Sequence, residues 1–339
     1  MRRQILVRAP LDRFSGYGRY ATALTLQLVA KGFNVGVYPT QPEFETDPRL
    51  PFLDNLKAEF DLVIHPPDDL ERLYRHPNSV VMTMWESTRL KPEWLTAINR
   101  YKAVMVPSTW NASCFSAQGV SIPIYAVPLG VDSCSIPAKS ESKRPFVFGA
   151  AGAFASGGQR KGLENCIHYF QKAFPDRDDV RLHVKLAGGG EHVRDFDDTR
   201  IKMQRGMLDA KAMLKWYQRL HCFISAAKCE GWGLHQHESM SAGKPVISIQ
   251  FAGMAEFFDE AVGFPVKFRL VPSQGLYENL GYWAEPDEGH FIDTLRYAYE
   301  HPNEVVEKGR KAVERAKAFS IEASAKKVIE VLRRHFYEI

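Results

Sequence analysis

Two carboxylates, Glu230 and Glu238, bracket a Gly-Trp-Gly turn in the stretch Lys228-Cys229-Glu230-Gly231-Trp232-Gly233-Leu234-His235-Gln236-His237-Glu238. Carboxylates on either side of a turn can each accept hydrogen bonds from hydroxyl groups. The apolar run Cys222-Phe223-Ile224-Ser225-Ala226-Ala227 reads as a buried strand. Leu234 to Ala242 reads as a helix ended by Gly243 and Pro245. Glu230 therefore falls on the loop at the strand's carboxyl end, where open α/β sheets bind ligands. Glu238 falls about one turn into the helix. The unpaired N–H groups at that helix start suit an anion or a sugar hydroxyl. Two glutamates at this spacing are ordinarily a solvated loop residue and a surface residue. The Gly-Trp-Gly between them and the buried strand before them turn the reading toward a site.

Other residues could supply complementary chemistry. Arg160 and Lys161 follow a small-residue loop, Ala151 to Gly158, and precede a helix from Leu163 to Phe174. There they form either a phosphate clamp or a solvated basic pair. Ser15-Gly16-Tyr17-Gly18 is read as a glycine loop between a strand and a helix, lacking the third glycine of a dinucleotide fingerprint. Glu86 follows the strand Val80 to Met84 and is either a site residue or a capping carboxylate. His235 and His237 are two apart and share no helix face, which disfavours a metal site. Asp176-Arg177-Asp178 and Asp195-Phe196-Asp197 have Asp-x-Asp form, but both lie in hydrophilic connectors and read as solvated turns. Neither a Gly-x-Ser-x-Gly elbow nor a Gly-Lys-Ser/Thr loop is present, which disfavours a hydrolase or a Walker ATPase.

The elements that must position these residues alternate as strand and helix. Ile5 to Ala9, Phe33 to Tyr38, Asp61 to His65, Val80 to Met84, Val104 to Val106 and Ile124 to Val127 read as strands. Helices are expected from Arg19 to Lys31 and from an N-cap at Ser108 to Gln118. A polar segment, Ser133 to Pro145, reads as an interdomain linker. Alternation then restarts at Phe146, passes Gly188-Gly189-Gly190 and a charged connector from Glu191 to Arg205, and continues through a helix from Asp209 to Leu220. Phe268 to Tyr282 has an irregular pattern, and three helices close the chain. Two Rossmann-like, doubly wound domains result.

At 339 residues, 45% apolar and 25% charged, the chain has the size and composition of a two-domain globular protein. A net charge of +4 permits a polyanionic partner without requiring one. Cys114, Cys134, Cys166, Cys222 and Cys229 are scattered, with no Cys-x-x-Cys, and read as reduced core thiols of a cytoplasmic protein. No signal peptide or membrane span is expected.

Taken in order, these stretches resemble the retaining glycosyltransferases of family 4. The resemblance runs through Ser15-Gly16-Tyr17-Gly18-Arg19-Tyr20, Val106-Pro107-Ser108-Thr109-Trp110, Val127-Pro128-Leu129-Gly130-Val131-Asp132, Arg160-Lys161-Gly162, the two glutamates, and Ser241-Ala242-Gly243-Lys244-Pro245-Val246-Ile247. It implies the GT-B fold, two Rossmann-like domains facing a cleft. An acceptor-binding domain would span 1–135, a nucleotide-sugar-binding domain 145–320, and a helix at 321–339 would pack back towards the first.

It also implies a nucleotide diphosphate sugar, UDP- or GDP-linked, as co-substrate, with no metal required. Glu238 would hold the ribose, Glu230 the donor sugar, and amides near Gly233 and Leu234 would assist. Arg160 and Lys161 would neutralise the diphosphate with the backbone at Gly16, Arg160 supplying charge where many members carry an arginine at the position of Ala153. Arg205 would lie near the base. Glu86 stands where many members place a histidine beside the sugar and is grouped with Glu230 as catalytic. Tyr17, Arg19, Trp85 and Trp110 would contact the acceptor. A glycan is the first expectation for that acceptor, and a hydroxymethylated pyrimidine in DNA, favoured by the arginine-rich start, is the rival. A third reading is a nucleotide-sugar-binding protein without turnover.

Overall fold

The computed structural model describes residues 4–52, 58–131, 145–152, 158–186 and 197–336. All of the linker Ser133 to Pro145 except Pro145, Cys134 included, with Gly188-Gly189-Gly190, Ala153 and the first two residues of Asp195-Phe196-Asp197, falls outside the described residues. The chain divides into two compact units, Met1–Asp132 together with Phe319–Ile339, and Ser133–Ala318.

The first unit is built on six parallel strands: β1 (Ile5–Ala9), β2 (Val35–Pro39), β3 (Phe60–Ile64), β4 (Ser79–Met82), β5 (Val104–Val106) and β6 (Ile124–Ala126), in the order β2-β1-β3-β4-β5-β6. Every residue of β1, β3, β4 and β5 is buried, as in a parallel sheet covered on both faces. Helices α1 (Gly16–Ala30), α2 (Leu70–Leu73), α3 (Pro92–Ile98) and α4 (Thr109–Ala117) alternate with them.

One expectation needs correction here. Ser15-Gly16-Tyr17-Gly18 is not a loop: Ser15 is the N-cap of α1 and both glycines lie in its first turn. The Ser15 hydroxyl accepts the Gly18 N–H at 2.9 Å, and the Asp12 carboxylate accepts the Phe14 N–H at 2.8 Å. A Cβ on Gly18 would stand 2.2 Å from the Asp12 carbonyl oxygen, so the loop can fold against the helix start only at glycine.

The second unit has its own six-stranded parallel sheet: β7 (Phe146–Gly152), β8 (Val180–Leu186), β9 (Ile201–Gln204), β10 (Cys222–Ile224), β11 (Val246–Ile249) and β12 (Gly263–Val266), in the order β12-β11-β10-β7-β8-β9. An antiparallel pair, β13 (Phe268–Pro272) and β14 (Tyr282–Pro286), stands apart from it. The helices are α5 (Gly158–Lys161), α6 (Leu163–Ala173), α7 (Ala210–Gln218), α8 (Leu234–Ser241), α9 (Glu288–Glu300) and α10 (Pro302–Lys317). Phe148, Phe170, Phe174, Ile224, Ile247 and Phe291 sit in its core.

Four strands, β9, β12, β13 and β14, were not read from the sequence. The charged connector ends in the edge strand β9, which exposes Lys202 and Gln204 and buries nothing fully, so it lacks the apolar run of its neighbours. The irregular segment from Phe268 to Tyr282 contains β13, which also buries no side chain fully and therefore has no readable period.

The last helix, α11 (Ile321–His335), belongs to the first unit and packs on α1, where the Tyr20 and Ser324 hydroxyls meet at 2.7 Å. Backbone bonds between Val131 and the segment Phe319 to Ile321 tie it in. Among the described residues no helix is long and apolar enough to cross a membrane. Cys114, Cys166, Cys222 and Cys229 are free thiols.

Candidate functional site

Strand β10 is short, and the chain from Ser225 to Gly233 is irregular yet buried throughout. Buried backbone without regular structure must find partners for its polar groups. It does so with the elements around it. The Lys228 N–H donates to the Arg160 carbonyl at 2.8 Å, and the Lys228 carbonyl accepts from the Ala284 N–H of β14 at 2.9 Å. The Glu230 carbonyl accepts from the Gly253 N–H at 2.9 Å, and Arg160 Nη1 donates to the Cys229 carbonyl at 2.7 Å. The Lys228 ammonium pairs with Glu285 of β14 at 2.6 Å.

This scaffold holds the Glu230 carboxylate against two cations. Lys161 Nζ donates to both oxygens, at 2.7 and 2.9 Å, and Arg160 Nη1 to one of them at 3.2 Å. Glu230 is only 8% exposed. Burial alone would drive its pKa up, but Lys161 and then Arg160 outweigh it and hold the carboxyl at about 2. Arg160 is itself buried and lies beside the ring of Tyr277, 5.5 Å from its centroid. Lys161 is more open, at 30% side-chain exposure. An ammonium has three N–H donors, and two here reach Glu230.

The loop then turns into α8 through Gly233, which caps the helix in the left-handed region at φ +97°. A Cβ there would stand 2.5 Å from Met254 Sδ. Leu234 opens the helix half-buried, and α8 presents the N–H groups of its first turn as donors. One turn on, Glu238 accepts the Tyr217 hydroxyl at 3.0 Å and lies 3.7 Å from His235 Nδ1. The second sugar- or nucleoside-binding candidate is thus anchored from α7.

His237 is fully buried, and its Nδ1 accepts the Trp232 indole N–H at 3.1 Å. Burial pushes its pKa down to about 4. The unfolded chain, with a value near 6.5, binds the proton first as pH falls. This residue's contribution to stability is therefore complete above about pH 6.5 and is lost as pH falls through about 4, roughly 3 kcal/mol in all. Urea midpoints should fall over that interval and do so less steeply in His237→Gln; equal slopes would refute the assignment. Among the described residues no group of three or more His, Cys, Asp or Glu is placed to hold a metal ion.

The remaining candidates lie in the first unit, apart from Arg205, which is exposed just past β9. Tyr17 is half-buried, and its hydroxyl accepts the Met84 N–H at 3.1 Å, bracing the chain immediately before Trp85 and Glu86. Trp85 is buried, its indole N–H donating to the Arg89 carbonyl at 2.7 Å and its backbone bonded in both directions to the Asn111 amide. Trp110 precedes Asn111 in the first turn of α4 and is half-buried, as are Glu86 and Arg19, while Gly16 is exposed. Tyr17, Trp85, Glu86 and the start of α4 therefore form one neighbourhood. Arg160, Lys161, Glu230, Gly233 and Glu238 line one stretch of the second unit.

Sequence reasoning missed Tyr217, Lys228, Tyr277, Glu285 and Gly253. Tyr217 and Lys228 stood in readable elements, but nothing in their spacing marks the side chains they meet. Tyr277 and Glu285 sit in or beside the hairpin that carries no period.

Residues 145–278 match the family model described as glycosyl transferases group 1. No curated protein matches the sequence. Among solved structures, sucrose-phosphate synthase from Thermosynechococcus elongatus is 15% identical, with a TM-score of 0.70 over 98% of this chain and 99% of that one. HepE from Anabaena, solved with UDP and glucose, is 13% identical, with a TM-score of 0.69 over 98% and 100%. The pneumococcal O-GlcNAc transferase GtfA, solved with UDP and GlcNAc, is 13% identical, with a TM-score of 0.61 over 82% of this chain. The chain spans 57% of the length of GtfA. The two parallel Rossmann-like sheets are those of the GT-B fold.

Proposed function

We propose that this chain, which belongs to the glycosyl transferases group 1 family by its residues 145–278, transfers a sugar from a UDP-sugar to a hydroxyl of a saccharide acceptor, with retention and without a metal. The observation that carries this reading is the buried Glu230 carboxylate held by Lys161 and Arg160 beside the start of α8. UDP is favoured over GDP because HepE and GtfA were solved with UDP.

Cleaving the sugar–phosphate bond develops negative charge on the departing diphosphate. Donors fixed in advance lower that barrier, because nothing needs to reorganise as the charge appears. Lys161 and the N–H groups opening α8 at Gly233 and Leu234 supply them, with Arg160 completing the positive field. The sugar meanwhile becomes oxocarbenium-like, and an ionised Glu230 stabilises that positive charge. Glu238, one turn into α8, takes the ribose hydroxyls. Retention follows attack from the leaving-group face, with the diphosphate oxygen accepting the proton of the acceptor hydroxyl. Glu86 acts with Glu230 as a catalytic carboxylate, the neighbouring Tyr17, Arg19, Trp85 and Trp110 receive the acceptor, and Arg205 lies toward the base.

Incubation with UDP-glucose, UDP-galactose and UDP-GlcNAc tests this. UDP release that depends on a saccharide acceptor, with an α-configured anomeric proton in the product, is expected. Binding of UDP without release from any donor would favour a non-catalytic binder instead. Transfer to hydroxymethylated DNA alone would move the acceptor to nucleic acid.

A further inference from the structure

We propose that His235 is a positioning residue of the ribose subsite, orienting the Glu238 carboxylate through the hydroxyl of Tyr217. This rests on the reading of Glu238 as the ribose-binding group.

The argument is one of proton counting. The Tyr217 hydroxyl lies 3.0 Å from Glu238 Oε2 and 3.1 Å from His235 Nδ1. A phenol carries a single proton, and an ionised carboxylate can only accept. The proton of Tyr217 therefore goes to Glu238, and the phenolic oxygen must receive from His235. That requires the proton on Nδ1, so the imidazole is held in its Nδ1–H form. Donation runs in one direction, from His235 to Tyr217 to Glu238. Tyr217 is 1% exposed on α7, so the middle member of the chain has little freedom.

His235 and Glu238 are three apart on α8, hence on one face, and Nδ1 stands 3.7 Å from Oε2. With the opposite tautomer, Nδ1 would accept the phenolic proton and leave a phenolic lone pair facing Oε2. The carboxylate would then lose that bond and the orientation it imposes. Identity at position 235 therefore decides whether Glu238 meets the two ribose hydroxyls in a fixed pose or must be ordered at the moment of binding. Ordering a side chain on binding is a direct loss of affinity.

The test uses the full chain, calorimetry, and two ligands, UDP and 2′,3′-dideoxy-UDP. The wild type is expected to prefer UDP by about 100-fold, as two hydroxyl–carboxylate bonds would give. His235→Leu removes the donor and should shrink that preference by about tenfold, leaving affinity for the dideoxy analogue nearly unchanged. His235→Asn, whose amide N–H can stand where Nδ1–H stood, should restore the preference to within about threefold. Full preference in His235→Leu, or an equal loss for both nucleotides, would overturn the inference while leaving Glu238 as the ribose group. A wild type with no preference would remove the ribose assignment itself, and this inference with it.

Discussion

Glu230→Gln should lose sugar transfer by about a thousandfold or more in kcat while binding UDP at least as tightly as the wild type. Under the proposed function the two effects have opposite signs because Glu230 would act on two charges. Toward the sugar it would be the anion that stabilises the developing cation, which glutamine cannot replace. Toward the diphosphate it competes: it occupies two N–H donors of Lys161 and one of Arg160. Neutralising it releases positive field to the phosphates. Titration with UDP, alongside steady-state turnover of the UDP-sugar, reads both signs. Retained turnover would remove Glu230 from the chemistry, and parallel loss of UDP binding would make it a structural residue only.

Acid sensitivity follows from the same pairing. With its folded pKa held at about 2, below the usual 4.5, Glu230 contributes stability that is complete above about pH 4.5 and lost as pH falls through about 2. Across neutral pH it remains ionised, so an acid limb of the rate profile in that range must come from another group.

The readable part of this molecule is the part with a period. Buried parallel strands such as β1 and β3 are unbroken apolar runs, and Ser108 and Asp209 cap the helices that follow them as their types demand. The strand–loop–helix from Cys222 through Ser241 was legible for the same reason, and with it the positions of Glu230 and Glu238. Side-chain partners were not. That Lys161 reaches Glu230 across 69 positions, or that Tyr217 reaches Glu238 across 21, depends on how α5 and α7 sit on the sheet, which no local spacing encodes. The glycines at 16 and 18 misled because glycine marks both loops and close approaches; here Asp12 folding onto the helix start decides for the latter. The hairpin β13–β14 was invisible because its outer strand faces water on both sides, yet it brings Tyr277 and Glu285 onto the site loop.

Lys161→Met should weaken UDP binding by about 50-fold and give the enzyme an acid limb it otherwise lacks. The ammonium is the more open member of the positive pair, so under the proposed function it is the one that would meet the diphosphate, and a thioether of similar length removes its charge with little change of shape. It is also the larger of the two attractions that hold Glu230 ionised against burial. Without it, burial gains weight and the Glu230 pKa rises. The variant's kcat/KM should then fall on acidification at a pH where the wild type is flat. The stability cost is modest, about 1–2 kcal/mol, because Lys161 is nearly a third exposed and Arg160 still faces the carboxylate. Combining Lys161→Met with Glu230→Gln closes a cycle that isolates the Lys161–Glu230 coupling: stability should not return in full, because the buried Arg160 then lacks its carboxylate partner, and turnover stays absent. A flat acid limb in Lys161→Met, with UDP affinity unchanged, would mean that the pair is a structural ion bridge and that the diphosphate is received elsewhere.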